Sequence, residues 1–146
     1  MLCISDNNIC MDRERFMGLK SEIPNAELMV VPMEQEARAV FYREHLENIK
    51  NYSAVFAVSD YYAMDLIQFL KSVGISVPED ISVVGFDNVR GSEKFVPALT
   101  TIKQDNRQRA ALAVNLLNQL RNGDCGDKNV KLDFVMGYAF NLCYLP

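Results

Sequence analysis

Polar side chains that can hold a small, hydroxyl-rich molecule stand at three places in the sequence where a structural element begins or ends. Arg15 lies in the first turn of a predicted helix, Asp87 directly follows the apolar segment Ile81–Phe86, and Gln104 follows an extended segment. A guanidinium presents a rigid fork of donors, and a carboxylate after a buried strand must face a cleft or a helix end. Because a desolvated polyol needs matched donors and acceptors, these residues are candidates for a ligand site.

Structural roles are also compatible with these residue types. From the residues alone, a solvated helix surface is the favoured place for Arg15, and Asp87 could instead cap a helix. Asp60 follows Ser59 at the end of the apolar segment Ala54–Val58 and is placed to cap a helix that begins at Tyr61. The residues alone therefore leave ligand binding and helix capping open.

Catalytic and metal-binding motifs are missing from the sequence. It contains no G-x-S-x-G, P-loop, G-x-G-x-x-G or H-E-x-x-H pattern. The four cysteines, Cys3, Cys10, Cys125 and Cys143, have no C-x-x-C spacing, and His45 is the one histidine. We therefore expect a protein that is not an enzyme, with no cofactor or metal, with reduced thiols, and with His45 on the surface.

The charge and hydropathy patterns restrict the partners. Fifteen basic and nineteen acidic residues give a net charge of -4, and no basic stripe is present that could neutralise phosphates. The apolar runs are too short to cross a bilayer, and the amino terminus does not have the pattern of a signal peptide. These features favour a cytoplasmic protein without membrane contact, and they argue against nucleic-acid binding by this part of the chain.

Short apolar segments alternate with segments of helical periodicity along most of the chain, which predicts an α/β fold with a mostly parallel sheet flanked by helices. The predicted strands are Leu2–Ser5, Glu27–Val31, Ala54–Val58, Ile81–Phe86 and Leu99–Lys103. The predicted helices run from Asp12, as the cap, to Pro24, over Glu34–Lys50, over Tyr61–Val73 and over Asn106–Arg121. Two final strands, Val130–Met136 and Tyr138–Cys143, depart from the parallel rhythm.

Four motifs in this order resemble a known family. Residues 77–88 read V-P-E-D-I-S-V-V-G-F-D-N and residues 99–105 read L-T-T-I-K-Q-D. Upstream, residues 54–63 read A-V-F-A-V-S-D-Y-Y-A and residues 13–18 read R-E-R-F-M-G. Together they resemble the regulatory domain of the lac-repressor and galactose-repressor family of bacterial transcription factors. The resemblance covers nearly the whole chain and implies one lobe of a type I periplasmic-binding-protein-like fold.

The resemblance also implies roles for individual residues. It places Arg15, Asp87 and Gln104 at the ligand, with a hinge role as the alternative for Gln104. Ser59 stands where the family has a ligand-bonding asparagine, and the shorter side chain lacks the two-pronged amide. Met33 stands where some relatives carry an aromatic residue that stacks on a sugar ring, with core packing as its alternative role.

A two-fold dimer interface is implied as well, through the helix after the third strand and the loop before Leu99. The apolar residues in these regions are Met64, Ile67, Phe69, Phe95 and Val96. Their alternative role, at least for Ile67 and its neighbour Leu70, is to face the sheet. A homodimer is the expected assembly.

By the same resemblance, residues 1–103 correspond to the second lobe, residues 104–136 to a crossover toward a first lobe, and residues 137–146 to a terminal strand. The first lobe and a helix-turn-helix would then lie outside this chain. We expect the apolar side of the helix from Asn106 to lack its cover, giving an exposed patch or self-association. That side comprises Ala110, Ala113, Val114, Leu117 and Leu120.

The function that these expectations favour is effector sensing. A sugar or related metabolite would bind between two lobes and change the DNA affinity of a helix-turn-helix outside this chain. A solute-binding protein for sugar uptake is the first alternative, because it shares the fold and the cleft. An enzyme on a doubly wound sheet is the second, and the missing catalytic motifs argue against it.

Overall fold

A six-stranded sheet in the order β2-β1-β3-β4-β5-β6 forms the centre of the computed structural model, which describes residues 1–6, 10–123, 126, 130–133 and 135–137. The strands are β1 (Leu2–Ser5), β2 (Glu27–Val30), β3 (Ala54–Ala57), β4 (Ser82–Asp87), β5 (Thr100–Lys103) and β6 (Val135–Gly137). The helices are α1 (Cys10–Glu22), α2 (Gln35–Glu44), α3 (Leu46–Ile49), α4 (Asp60–Ser72) and α5 (Asn106–Arg121), with a 3-10 turn at Ser92–Lys94. Strands β1 to β5 pair in parallel and β6 pairs antiparallel with β5, so the predicted fold class is confirmed.

Helices cover the sheet on both faces because alternate residues of each strand point to opposite sides. Leu2, Ile4 and Val55 join the core that contains the buried residues of α2, α3 and α4. Cys3 and Phe56 point the other way and form a smaller cluster, to which α1 contributes partly buried side chains. The sheet is therefore buried between α1 on one face and three helices on the other.

The face that carries α1 keeps an apolar groove of about 660 Å³. Phe56, Val84, Phe86 and Ile102 line it from three neighbouring strands, and Arg15 and Gln104 stand among its polar lining residues. One helix is too narrow to cover five parallel strands, since a helix with its side chains is about 10–12 Å wide and neighbouring strands lie about 4.8 Å apart.

The termini of α4 show how local sequence sets an element. Ser59 is extended and its hydroxyl accepts a hydrogen bond from the Tyr61 amide at 3.3 Å, so Ser59 is the amino-terminal cap. The prediction that Asp60 is the cap is wrong, because Asp60 is already the first helical residue. The helix ends before Gly74, whose φ of 80° suits the left-handed residue that follows many helices.

The residues expected at a dimer interface divide into two groups. Ile67 and Phe69 are 1% and 6% exposed and belong to the core, so the expectation that they offer surface to a partner is wrong and Ile67 faces the sheet side. Met64 and Phe95 are partly buried against the same core, and Val96 is 74% exposed. Because α4 also packs against α2, two sides of this helix are occupied within the chain.

Three further boundaries differ from the sequence prediction. Asp12 does not cap α1 but lies inside it, buried, and accepts a bond from the Ser5 hydroxyl. The single helix predicted over residues 34–50 is interrupted at His45, which is partly buried and stacks on Phe41 with ring centroids 4.0 Å apart. Residues 130–133 form no strand, so β6 is shorter than predicted, and the strand predicted over residues 138–143 lies outside the described residues.

Helix α5 has no buried residue. Val114, Leu117 and Leu120 are 56%, 65% and 44% exposed, so the apolar side expected to lack cover is exposed. Within the described part of the chain, no helix has both the length and the apolar character needed to span a membrane.

We predict that Gly85→Ala destabilises the fold. A Cβ at this position would lie 2.3 Å from the Asp60 Oδ1 atom and 3.0 Å from the Leu99 Cδ2 atom, so β4 and α4 would have to separate. Overpacking of this kind costs about 1–3 kcal/mol of unfolding free energy, which urea denaturation measures.

Gly18→Ala is the matched control, because a Cβ there meets nothing within 4 Å and the residue lies inside α1. Alanine in a helix interior should raise the unfolding free energy by about 0.5–1 kcal/mol. Equal stabilities for the two variants would contradict the close approach of β4 to α4.

We also predict different reactivities for two cysteines. Cys3 is fully buried and burial raises the pKa of its thiol to about 12, so the reactive thiolate is scarce. Cys10 is exposed at the start of α1. Iodoacetamide at about pH 8 should modify Cys10 quickly and Cys3 only after unfolding, as peptide mass mapping will show, and early modification of Cys3 would count against the packing of β1.

Candidate functional site

Arg15 reaches from α1 across the carboxyl ends of two strands. Its Nη1 donates to the Val58 carbonyl oxygen at 2.6 Å, just after β3, and its Nη2 donates to Asp87 Oδ1 at 3.1 Å, at the end of β4. The guanidinium also lies 4.0 Å from the centre of the Phe86 ring. The Arg15 side chain is 13% exposed, so Arg15 is not a solvated surface residue.

Gln104 completes the group from the end of β5. Its Nε2 donates to the same Asp87 Oδ1 at 2.6 Å, and Arg109 donates to its Oε1. The structure therefore brings together the three residues that the sequence analysis singled out, and we refer to Arg15, Asp87 and Gln104 as the Arg15–Asp87–Gln104 cluster. Arg109, in the first turn of α5, is an addition that the sequence analysis missed.

The cluster can exchange hydrogen bonds with a polar molecule. Among the described residues, Arg15 and Gln104 both donate to Oδ1 of Asp87, and the second carboxylate oxygen, Oδ2, can accept from further donors. The Asp87 side chain is 31% exposed. A carboxylate and an amide that are both held in place present acceptors and donors without the entropic cost of ordering them.

A turn with an uncommon backbone carries Asp87. The φ angles of Asp87 and Asn88 are 105° and 51°, in the left-handed region that non-glycine residues rarely adopt. The Val89 amide donates to Asp60 Oδ2 at 2.7 Å, and the Asn88 amide donates to the Thr101 Oγ1 atom at 3.2 Å. Thr101 in turn donates to Asp60 Oδ1.

Asp60 thus has a structural role that the sequence analysis did not foresee. It is fully buried, and burial raises the pKa of its carboxyl while the bonds from Thr101 and Val89 act in the opposite direction. Asp60 and Thr101 connect the start of α4, the end of β4 and β5. The sequence signal for this role is only that a carboxylate follows an apolar strand.

A second polar group lies at the end of β1. The Ser5 hydroxyl donates to Asp12 Oδ2 at 3.1 Å. Burial and the nearby Asp6 carboxyl raise the pKa of Asp12, and burial and Asp6 raise the pKa of Tyr62 to about 12. The positive charge of Arg15 acts to lower the pKa of Asp12, so this polar group lies next to the cluster.

Arg38 is a buried charged residue that sequence reasoning missed. It is 6% exposed, pairs with Asp65 of α4 through two nitrogens, and donates to the carbonyls of Pro32 and Met33. Its guanidinium lies 4.8 Å from the Tyr62 ring centre. Arg38 therefore fixes the turn after β2 to α4.

The two remaining predicted ligand residues have different surroundings. The Ser59 hydroxyl caps α4, directly beyond the Val58 carbonyl that Arg15 binds. Met33 is 62% exposed, so core packing is not its role. Among the residues that the structure describes, no three His, Cys, Asp or Glu side chains come together as metal ligands.

Comparisons with known proteins identify the family of this chain. The family model described as a periplasmic binding protein-like domain matches residues 1–135. The chain is 40% identical over 88 residues to the HTH-type transcriptional regulator MalR of Clostridium butyricum, covering 60% of this chain and 26% of that protein. It is 32% identical over 125 residues to the HTH-type transcriptional repressor PurR of Vibrio atlanticus, covering 79% and 37%. The chain thus spans about a quarter to a third of these relatives.

Solved structures show the same fold. A lac repressor dimer bound to operator and the anti-inducer ONPF is 26% identical, with a TM-score of 0.81 over 97% of this chain and 51% of that chain. A LacI family transcriptional regulator from Enterococcus faecalis with bound ribose has a TM-score of 0.85 at 24% identity, over 99% and 55%. The latter likeness bears on the fold alone.

We predict that Arg38→Ala is among the most destabilising single substitutions at this edge of the sheet. It leaves the Asp65 carboxylate, whose side chain is 15% exposed, without its charged partner and removes the donor to two carbonyls. Breaking a buried pair from one side costs about 3–5 kcal/mol of unfolding free energy, which urea denaturation measures.

The control is Gln35→Ala, which removes an exposed bond to the same Asp65 carboxylate. Its effect should stay within about 0.5 kcal/mol. Arg38→Lys should recover only part of the loss, because an ammonium cannot reproduce the planar fork. A wild-type stability for Arg38→Ala would show that the pair does not hold the turn.

Proposed function

Because the chain belongs to the periplasmic binding protein-like domain family, we propose that it forms half of an effector-sensing domain of a bacterial transcriptional regulator. The effector is a sugar or a related small metabolite, and the protein is not an enzyme. The observation that carries the proposal is that Arg15 of α1 and Gln104 after β5 both donate to one carboxylate oxygen of Asp87, at the end of β4.

The position of the cluster supports a ligand site. In open parallel sheets, ligands bind beyond the carboxyl ends of the strands, and the cluster stands where β3, β4 and β5 end. Ser59 lies beside it and Met33 follows β2 with its side chain exposed. We assign Arg15, Asp87 and Gln104 to direct contact with the effector, with Ser59 and Met33 at the margins of the site.

The charge of the cluster supports an uncharged, hydroxyl-bearing effector. The guanidinium of Arg15 is already paired with Asp87, and Asp12 lies close by. At Arg15, a phosphate would therefore meet a guanidinium whose charge is already paired with the Asp87 carboxylate. Sugar hydroxyls can donate to Asp87 and accept from Gln104.

The signalling mechanism follows from a site that is open on one side. Residues 1–103 would form one lobe, and residues 104–136 would lead toward another. An effector held between the lobes shifts the population toward a closed form. In a homodimer that pairs through Met64, Phe95 and Val96, closure would alter the spacing of two DNA-binding segments outside this chain.

The solute-binding alternative shares every contact described so far, so it requires a different experiment. A gel shift with the full-length protein of the parent gene and DNA from its own promoter separates the two functions. A regulator binds this DNA, and the effector changes its affinity. A solute-binding protein shows no such binding.

We predict that the cluster sets effector affinity. Isothermal titration calorimetry of the full-length protein against ribose, lactose, maltose and glucose should identify at least one ligand. Asp87→Asn and Arg15→Ala should then weaken it by about tenfold to a hundredfold, as expected for bonds to charged groups. Asparagine is chosen at position 87 because it tolerates the left-handed backbone.

Arg13→Ala is the matched control, since Arg13 is an exposed arginine of the same helix. Its affinity should remain within about twofold of wild type, because surface substitutions away from such features have small effects. Binding that is unchanged in both cluster variants would defeat the site assignment, and no binding of any sugar in the panel would defeat the proposed effector class.

A further inference from the structure

We propose that Asp60 is a positioning residue that holds the Asp87–Asn88 turn in its left-handed conformation and thereby aims the Asp87 carboxylate at Arg15 and Gln104. The effect on effector affinity rests on the function proposed above. The effect on the turn itself does not, so the two can be tested separately.

The first step of the argument is the backbone of the turn. Two consecutive non-glycine residues, Asp87 and Asn88, have φ angles of 105° and 51°. Each such conformation is sparsely populated and persists only when the surrounding structure imposes it. Left without restraints, the chain after β4 would relax to negative φ, and the Asp87 side chain would leave its place.

The second step is the restraint. The amides of Asn88 and Val89, directly after Asp87, both donate to buried side chains of other elements. Asp60 Oδ2 accepts from the Val89 amide at 2.7 Å, while Asp60 Oδ1 accepts from Thr101, whose Oγ1 accepts from the Asn88 amide at 3.2 Å. Both oxygens of one carboxylate therefore end in bonds that hold the turn.

The third step is the rigidity of Asp60 itself. It is 0% exposed and begins α4 immediately after β3. Gly85 of β4 lies so close that a Cβ there would be 2.3 Å from Asp60 Oδ1 and 3.3 Å from its Cα. The carboxylate cannot move toward the strand, so its position is fixed by packing as well as by hydrogen bonds.

Ser92 also contacts the turn, through the Val89 carbonyl and the Asn88 side chain. Its hydroxyl donates to the Val89 carbonyl at 2.9 Å and contacts Asn88 Oδ1 at 3.3 Å, and its carbonyl accepts from the Leu99 amide at 3.0 Å. Ser92 is 1% exposed. Its bonds to the turn reach a carbonyl and a side chain, so the two amides after Asp87 depend on Asp60 and Thr101.

The first experiment needs no effector. Native-state hydrogen exchange of the full-length protein is compared for wild type, Asp60→Asn and Asp65→Asn. Asparagine at position 60 has one oxygen that can still accept from Val89, but this oxygen carries no charge, so the bond is weaker and the Val89 amide should exchange about tenfold faster. Asp65→Asn removes another largely buried carboxylate that does not touch the turn, and it should leave Val89 at the rate set by global stability.

Equal acceleration at Val89 in both variants, after correction for global stability, would overturn the proposal, because Asp60 would then be an ordinary stabilising residue. Thr101→Val supplies a second route if Asp60→Asn does not fold. It removes the hydroxyl that accepts from Asn88, and the Asn88 amide should then be the one that loses protection.

The second experiment tests the link to the site. Asp60→Asn should weaken binding of the sugar that the wild type takes from the ribose, lactose, maltose and glucose panel by about tenfold. Adding Asn88→Gly should recover part of this affinity, since glycine adopts positive φ without strain. A residue that merely stabilises the fold would not be rescued by a glycine in the turn.

The outcomes are distinguishable. If no sugar binds the wild type, the proposed function fails, and the exchange rates still decide whether Asp60 holds the turn. If a sugar binds and Asp60→Asn leaves its affinity unchanged, the positioning role is wrong while the function stands. Affinity that falls and is not improved by Asn88→Gly also contradicts positioning through the turn.

Discussion

Parallel pairing of β1, β3, β4 and β5 is the constraint on which the site depends. In a parallel sheet the carboxyl ends of all strands lie at the same edge, so residues far apart in sequence meet there. Arg15 and Asp87 are separated by 72 positions and Asp87 and Gln104 by 17, yet all three are joined by direct hydrogen bonds. Asp87 and Gln104 stand where β4 and β5 end, and Arg15 reaches Asp87 from α1.

The strands and helices could be predicted from the sequence because apolar runs and helical periodicity indicate which residues are buried. Asp87 and Gln104 were identifiable as residues at strand ends, and the alternation of elements predicted a mostly parallel sheet but not the order of its strands. Periodicity carries no information on side-chain partners, however. The bonds from Arg38 to Asp65 and the bonds that Asp60 accepts from Val89 and Thr101 span 27 to 41 positions, and no local pattern indicates them.

Two errors have the same physical origin. Ser59 and Asp60 are both good caps by residue type, and the choice between them depends on which residue has the extended backbone, which is Ser59 with φ -145° and ψ 147°. Ile67 and Phe69 are apolar on a helix whose neighbours were unknown, so an outer interface and an inner core look alike in sequence. Packing of α4 against both the sheet and α2 resolves the ambiguity.

The two ion pairs at this edge show how one kind of contact serves different purposes. The side chains of Arg38 and Asp65 are 7% and 15% exposed, and those of Arg15 and Asp87 are 13% and 31% exposed. Separating Arg38 from Asp65 would leave two largely buried charges without partners, so this pair stabilises the fold. The second pair retains access from outside, so its partners can share their hydrogen-bonding capacity with a ligand. Because Asp60 and Thr101 hold the turn that bears Asp87 through buried hydrogen bonds, Asp87 can bind a ligand without a change in the backbone at this edge of the sheet.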